Sequence, residues 1–348
     1  MKRRGILAGI AALAALAVCL ILFWFAPART TRAEGELVLW YAGTECSAEG
    51  MEALAARCEK ETGLRVEAVG FADERALADA FAEGRQDLLW CSHVRAYDID
   101  EGEGLIALPE TVARPEGNAE GFFPLGARLP VLLRSETRLP EAPESLEALL
   151  ESGEKDMLGA ACWADVLYEG MYALGHAMSG LRTADSANPD YVRLHNLLGR
   201  AAYDGAAVNA PDAADRVRQG SLAAAVVDSM SLAQWEGDGL LVDPLPLPAG
   251  AAARYAGIWM GFARTKDGPV TEAFLRWLSD KGRSAELALS MGLVPFHPGA
   301  GEGKTPPEAA LLRIARGGTV SALDPGCSYL KNREACEQGL RLSLELLA

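Results

Sequence analysis

Glu36-Leu-Val-Leu-Trp-Tyr41, a helical stretch from Ser47 to Glu61, an alternating run from Leu64 to Phe71, a second helical stretch from Asp73 to Glu83 and the apolar run Asp87-Leu-Leu-Trp-Cys91 follow one another without interruption. Ser47 is a helix-starting residue, and Thr62-Gly63 is a stop signal. Strand, helix, strand, helix, strand at this spacing predicts a parallel sheet covered by helices. Ligands of such sheets sit beyond the carboxyl ends of the strands. The segments after the first and third strands, residues 42–46 and 92–97, are therefore placed to touch something.

Further along the chain the alternation continues. Leu129 to Arg134 reads as a strand and Pro143 to Leu150 as a short helix with Leu146, Leu149 and Leu150 on one face. A second block opens at Met157 to Trp163, with helices near Leu167 to Met178 and Asp190 to Tyr203 and a strand at Leu222 to Asp228. Pro244, Pro246 and Pro248 prescribe an extended connection. Ala256 to Ala263 is apolar and strand-like, and Val270, Ala273, Phe274, Trp277 and Leu278 fall on one helical face. Gly292 to Phe296 is extended, Gly299 to Pro307 is a loop, and a helix around Glu334 to Leu347 closes the chain. There is no internal repeat.

At the other end, Lys2, Arg3 and Arg4 precede an uncharged, apolar run from Gly5 to Ala28. As a helix it would reach about 36 Å at ~1.5 Å per residue, and a bilayer core takes roughly 20 such residues. A retained membrane anchor fits this length, and the charge ahead of it predicts that the bulk of the chain is exported. Cleavage after Ala28 or Ala33 is the alternative, since a signal peptide also combines positive charge with an apolar centre. Cys19 follows Leu-Ala-Val, where a lipid-attachment box wants a smaller residue than Val18, and it reads as part of the apolar run.

The whole chain carries 33 basic and 48 acidic residues. All five basic residues before Glu34 (Lys2, Arg3, Arg4, Arg29 and Arg32) stand without an acid, so the part from Glu34 onward has a net charge of −20. Such a surface repels phosphate backbones and excludes nucleic acid as a partner. Half of all residues are hydrophobic, enough for a large core, and the length suits two lobes. The exported cysteines (46, 58, 91, 162, 327 and 336) show no zinc spacing. Cys327 and Cys336 lie close together beside turn-like residues and form a candidate disulfide in an oxidising exterior. Cys58 continues the apolar stripe of Met51, Leu54 and Ala55 and reads as buried.

Taken in order, these landmarks resemble the extracellular solute-binding proteins of ABC transporters, with the type II periplasmic-binding-protein fold. The resemblance rests on the opening strand and the helix ending in Glu59-Lys-Glu-Thr-Gly63; on Arg128-Leu-Pro-Val-Leu-Leu-Arg134 followed by Pro143-Glu-Ser-Leu-Glu-Ala-Leu149; on Gly220-Ser-Leu-Ala-Ala-Ala-Val-Val-Asp228; and on Pro244-Leu-Pro-Leu-Pro248. Ala273-Phe-Leu-Arg-Trp-Leu278 and Gly292-Leu-Val-Pro295 complete it. It implies an α/β fold of two lobes, each a mostly parallel sheet flanked by helices, preceded by one N-terminal apolar helix. The expected division is 1–33 as signal peptide or anchor, 34–133 as lobe 1, 134–253 as lobe 2, 254–298 as the return to lobe 1, and 299–348 as a helical region on lobe 2. The chain would cross between lobes near Leu129 to Arg134 and again near Tyr255 to Phe262. The implied partners are a small-molecule ligand, the permease subunits of an ABC transporter and, through the N-terminus, the membrane's outer side. A membrane-anchored sensor of the same fold is the alternative.

No enzyme motif survives inspection. Gly299-Ala-Gly-Glu-Gly-Lys-Thr305 lacks the first glycine of a phosphate-binding loop, and Pro306-Pro307 follow it. Ser328-Tyr-Leu-Lys331 has the spacing of a serine acyl-enzyme, but the companion elements of that chemistry do not occur. His93, His176, His195 and His297 never pair at metalloprotease spacing. The chain reads as a binding protein without catalysis or cofactor. Its candidate ligand residues stand at strand ends and crossings: Tyr41, Thr44 and Glu45; Ser92 and His93; Trp163 and Asp165; Asp228 and Ser229; and Trp259. Indole rings pack on sugar C–H faces while carboxylates accept hydroxyl hydrogen bonds, and with the family resemblance this favours a carbohydrate. A small cation such as a polyamine is the alternative, held by carboxylates and cation–π contacts.

Overall fold

The computed structural model describes residues 35–81, 84–101, 104–112, 120–176, 187–234, 239–299, 301–323 and 336–342. The apolar run from Gly5 to Ala28, Cys19, Cys327 and the Ser328-to-Lys331 motif lie outside the described residues.

Strand β1 (Glu36–Ala42) leads to helix α1 (Ala48–Thr62). The Ser47 side chain accepts the Gly50 N–H and starts the helix; Gly63, in left-handed backbone at φ 77°, ends it by returning its N–H to the Glu59 carbonyl. Strand β2 (Arg65–Phe71), helix α2 (Glu74–Phe81), strand β3 (Leu88–Ser92) and helix α3 (His93–Glu101) follow. Strands β2 and β3 flank β1, both parallel to it. Leu39, Leu89 and Trp90 are buried between the covering helices, as a two-sided sheet requires.

The chain then runs through β4 (Phe122–Arg128) and, after the single residue Leu129, β5 (Pro130–Ser135). Helix α4 (Leu146–Leu150), β6 (Leu158–Ala160), α5 (Trp163–Ala173), α6 (Pro189–Tyr203), β7 (Ala207–Asn209), α7 (Ala213–Arg218) and β8 (Ala224–Asp228) build the second block. A 3-10 turn (Ser229–Gln234) and β9 (Leu240–Pro244) lead to the long strand β10 (Arg254–Arg264). Helices α8 (Pro269–Leu278) and α9 (Lys281–Ser290), β11 (Val294–Pro295), α10 (Pro306–Gly317), β12 (Thr319–Ala322) and a helix at 336–342 complete the described chain.

Two sheets result. One has the order β11-β4-β10-β3-β1-β2, with β12 added to β10; the other has the order β7-β6-β8-β5-β9. Each sheet holds a run of three strands paired parallel, β2-β1-β3 and β7-β6-β8, and β10 pairs parallel with β12; the remaining pairings are antiparallel, so both sheets are mixed. Strands β4, β5, β9 and β10 carry the chain between lobes. Strands β4 and β9 leave their sheets in the direction of the parallel strands, whereas β5 and β10, arriving from the other lobe, enter where the parallel strands leave and so pair antiparallel with them and with β4 and β9. The crossing expected near Leu129 to Arg134 is Leu129 itself, because Pro130–Ser135 already pairs with β8 and β9 in the second sheet. The region after Gly299 is divided. Helix α10 packs on β9 of one sheet and β11 of the other, β12 joins the first sheet, and Cys336 and Leu340 belong to the core of the second lobe.

Candidate functional site

Two cavities open between the lobes and meet at Arg128, Asp228 and Ser231. The first, about 330 Å³, lies against α5 (Asp165, Tyr168 and Glu169), the end of β8 and the start of β10 (Ala256 and Ile258). The second, about 360 Å³, lies between the turn after β1 (Thr44, Glu45 and Cys46), the 3-10 turn (Met230 and Ser231) and Met291. Both stand beyond the carboxyl ends of parallel strands, where open α/β sheets place ligands.

The walls are acidic. Glu45, Asp165, Glu169 and Asp228 contribute carboxyl groups, and Arg128 is the one basic lining residue among the described residues. Its guanidinium Nε is held 3.1 Å from Asp228 Oδ2. Burial raises the Glu45 carboxyl to about 7, and the Glu74 charge adds to this. Arg128, a hydrogen bond from the Ser92 backbone N–H, and Arg95 pull it the other way. Glu169 is pushed further, to about 8: burial dominates, a bond from the Ala256 N–H opposes it, and the Asp165 charge raises it again.

Helix α5 brings Asp165 and Glu169 to the same wall, four residues apart. Its N-terminus is the positive end of a helix dipole, and such ends attract anions. Here that end is occupied from within. Glu337 accepts the Ala164 N–H at 2.8 Å, and Arg341 binds both Glu337 (2.6 Å) and the Ala161 carbonyl (2.8 Å).

Of the residues expected from sequence, Thr44, Glu45, Asp165 and Asp228 line the cavities. Ser92 stands behind Glu45, and its hydroxyl also accepts the Arg95 N–H. The other five lie elsewhere. Tyr41 is in the first lobe's core, its ring packed over Gly70, where any side chain would collide with it. His93 is buried: Nδ1 accepts the Trp259 N–H (3.1 Å) and Nε2 donates to the Leu323 carbonyl (2.6 Å), which fixes one neutral tautomer. Trp163 is 2% exposed in the second lobe's core. Trp259, 9% exposed, packs edge-on against Phe296, and its indole N–H has no partner among the described residues. Ser229 locks the crossing: its hydroxyl accepts the Leu129 N–H and its own N–H donates to the Leu129 carbonyl. Cys336 stands 3.5 Å from the Tyr168 hydroxyl, and no disulfide joins two described cysteines.

Arg128, Tyr168, Glu169 and Ser231 are wall residues that sequence reasoning missed. Glu169 left a readable signal. It is an acid inside the apolar run Val166-Leu-Tyr-Glu-Gly-Met171 of a helix, and such a group is either paired or in use.

Residues 53–313 match the family of bacterial extracellular solute-binding proteins. The chain belongs to that family. No curated protein sequence matches it significantly. Solved structures share the fold of this solute-binding protein at low identity. The cyclic α-maltosyl-1,6-maltose binding protein of Arthrobacter globiformis is 12% identical, with a TM-score of 0.64 over 90% of this chain and 97% of its own. The spermidine/putrescine ABC transporter substrate-binding protein of Streptococcus pneumoniae is 15% identical, with a TM-score of 0.64 over 90% and 99%. The maltodextrin-binding protein of L. casei is 12% identical, with a TM-score of 0.67 over 89% and 94%. Among the described residues no His, Cys, Asp and Glu cluster is placed to hold a metal ion, and no helix is long and apolar enough to cross a membrane. The cleft of a solute-binding protein needs no catalytic group: it binds a solute and releases it.

Proposed function

We propose that the chain is the extracytoplasmic receptor of an ABC transporter and that its solute is a small organic cation. One observation carries the choice of solute. Among the described residues four carboxyl-bearing side chains line the two cavities, and the only basic lining residue, Arg128, is already held by Asp228. An anion would meet the Asp165 charge there with no free cation to receive it among the described lining residues, and the helix end that might have received it is filled by Glu337. A carbohydrate needs flat ring faces. Trp163 and Trp259, the rings expected to supply them, are packed in core and hinge, and Tyr168 is the one aromatic residue in the walls among the described residues. The apolar remainder of the first cavity, including Val226, Val227 and Ile258, suits a hydrocarbon body with a charged end. The likeness in fold to a spermidine/putrescine receptor is compatible with this reading, as the likeness to maltodextrin receptors is with a sugar. The apolar run from Gly5 to Ala28 would hold the receptor at the outer membrane face, beside its permease.

Isothermal titration of the full-length chain with 1,4-diaminobutane, choline and maltose tests the proposal. Saturable heat is expected for at least one of the two amines and none for maltose. Saturation by maltose alone would overturn the cationic reading.

A further inference from the structure

Within the cleft, Glu169 stands apart from the other acids. It is 4% exposed, it lines the first cavity, and it reaches from α5 to the crossing strand, where Oε1 accepts the Ala256 N–H at 2.9 Å. No lysine or arginine among the described residues forms an ion pair with it. The charged groups around it are committed or repulsive. Asp165, one turn earlier on the same helix, opposes a second negative charge. Tyr255, from β10, is the other titratable group that feels Glu169, and its phenol is raised to about 12 by burial and by that carboxyl. The Arg254 guanidinium lies over the Tyr172 ring at 4.8 Å. Arg128 is held by Asp228 across the cavity, and Arg341 by Glu337 at the N-terminus of α5.

Resting on the cationic reading above, we propose that Glu169 is the specificity-determining residue of the cleft: it is protonated in the free receptor and exchanges that proton for an ammonium group of the ligand, so a neutral ligand of the same shape is refused. A carboxylate buried without a counter-charge is costly, and keeping the proton avoids that cost. The value of about 8 that burial gives this carboxyl agrees with the geometry. When R–NH₃⁺ enters, the Glu169 O–H bond breaks and its electron pair stays on the carboxylate oxygen. The proton leaves for solvent or buffer, and the carboxylate accepts a hydrogen bond from the ammonium. Charge inside the cleft is then balanced. A diol of equal length brings no charge and leaves the carboxyl protonated. Affinity for an amine must therefore fall as pH drops below about 8, approaching tenfold per pH unit for one linked proton.

The experiment is titration calorimetry of the full-length chain with 1,4-diaminobutane and, separately, 1,4-butanediol, at pH 7 in three buffers of different ionisation enthalpy. The slope of observed heat against buffer enthalpy counts protons. The parent should release roughly one proton more per diamine bound than E169Q does. E169Q keeps an acceptor for the Ala256 N–H, should remain folded by circular dichroism, and should bind the diamine at least tenfold more weakly. The diol should bind neither protein. Diamine binding to the parent without proton release, or to E169Q within twofold of the parent, would overturn the assignment and leave the cationic reading standing. If E169Q does not fold, E45Q in the same three buffers decides: proton release equal to the parent's keeps the assignment to Glu169, and its loss in E45Q would overturn it. If the diamine does not bind the parent, the cationic reading fails at this probe and the role of Glu169 falls with it.

Discussion

A buried acid and a buried base give the free protein opposite responses to pH. The folded-state pKa of Glu169, about 8, lies above its ordinary value, so its contribution to stability is complete below about 4.5 and is lost as pH rises through 8. His93 is lowered by burial, against the bonds to Leu323 and Trp259, so its contribution is present above about 6.5 and lost as pH falls. Comparing the parent with Glu169→Gln isolates the first term. Between pH 5 and 8.5 the thermal midpoint of the ligand-free parent should decline relative to that of the variant, by the equivalent of a few kcal/mol at most. Parallel midpoint curves would mean that Glu169 does not hold its proton. At this scale the sequence placed some of the expected residues in the cavity walls and others in the core. Thr44, Glu45, Asp165 and Asp228 follow from the rule that parallel sheets bind beyond their strand ends. Trp163 and Trp259 are buried instead: an indole at a strand end and one in a core look alike in sequence; burial is decided by what packs over them, and here residues distant in the chain do so.

Among the elements, those with local start and stop signals were readable. Helix α1 is set by Ser47 and Gly63, and α6 by Asn188, whose side chain accepts two backbone N–H groups, with Pro189 at the first turn. Helix α10 was hidden by its own starter. Pro306-Pro307 read as an interruption, yet proline fits a first helical turn, and Thr305 caps it by accepting the Glu308 N–H. Strand β4 was hidden by Pro124 and Gly126. Gly126 is needed because the Val294 carbonyl would lie 2.8 Å from any Cβ there, and the pairing with β10 shifts register beside Met260 and Gly261. The turn before β11 carries a sharper constraint. Gly292 has φ 72°, and a Cβ on it would meet the Ser229 carbonyl, from the segment after β8, at 2.4 Å. Gly292→Ala should therefore destabilise the fold by roughly 1–3 kcal/mol through strained backbone, with the collision adding to it. A urea midpoint equal to the parent's would show that this contact yields freely.

For the whole molecule, the two sheets are joined by short segments: Leu129 between β4 and β5, and residues 245–253 between β9 and β10. The segment after β12 makes a third connection, because 336–342 returns to the second lobe. Ligand contacts on both lobes favour a closed form. Residues 130–250 should move as one body when the amine identified by calorimetry saturates the cleft, and the radius of gyration from X-ray scattering should fall. Superimposable curves with and without that amine would count against closure. Glu337 has a further effect at this scale. By silencing the positive end of α5, it leaves the mouth of the cleft to the field of the part from Glu34 onward, whose net charge is −20. For a scarce cation the consequence is speed of encounter: a funnel of one sign raises capture rates by ~10–10³ over unguided diffusion. That advantage shrinks as external salt shortens the reach of the field to roughly 10 Å at 0.1 M, whereas the rate of escape is governed by how often the lobes part. The receptor would thus scavenge fastest in dilute surroundings.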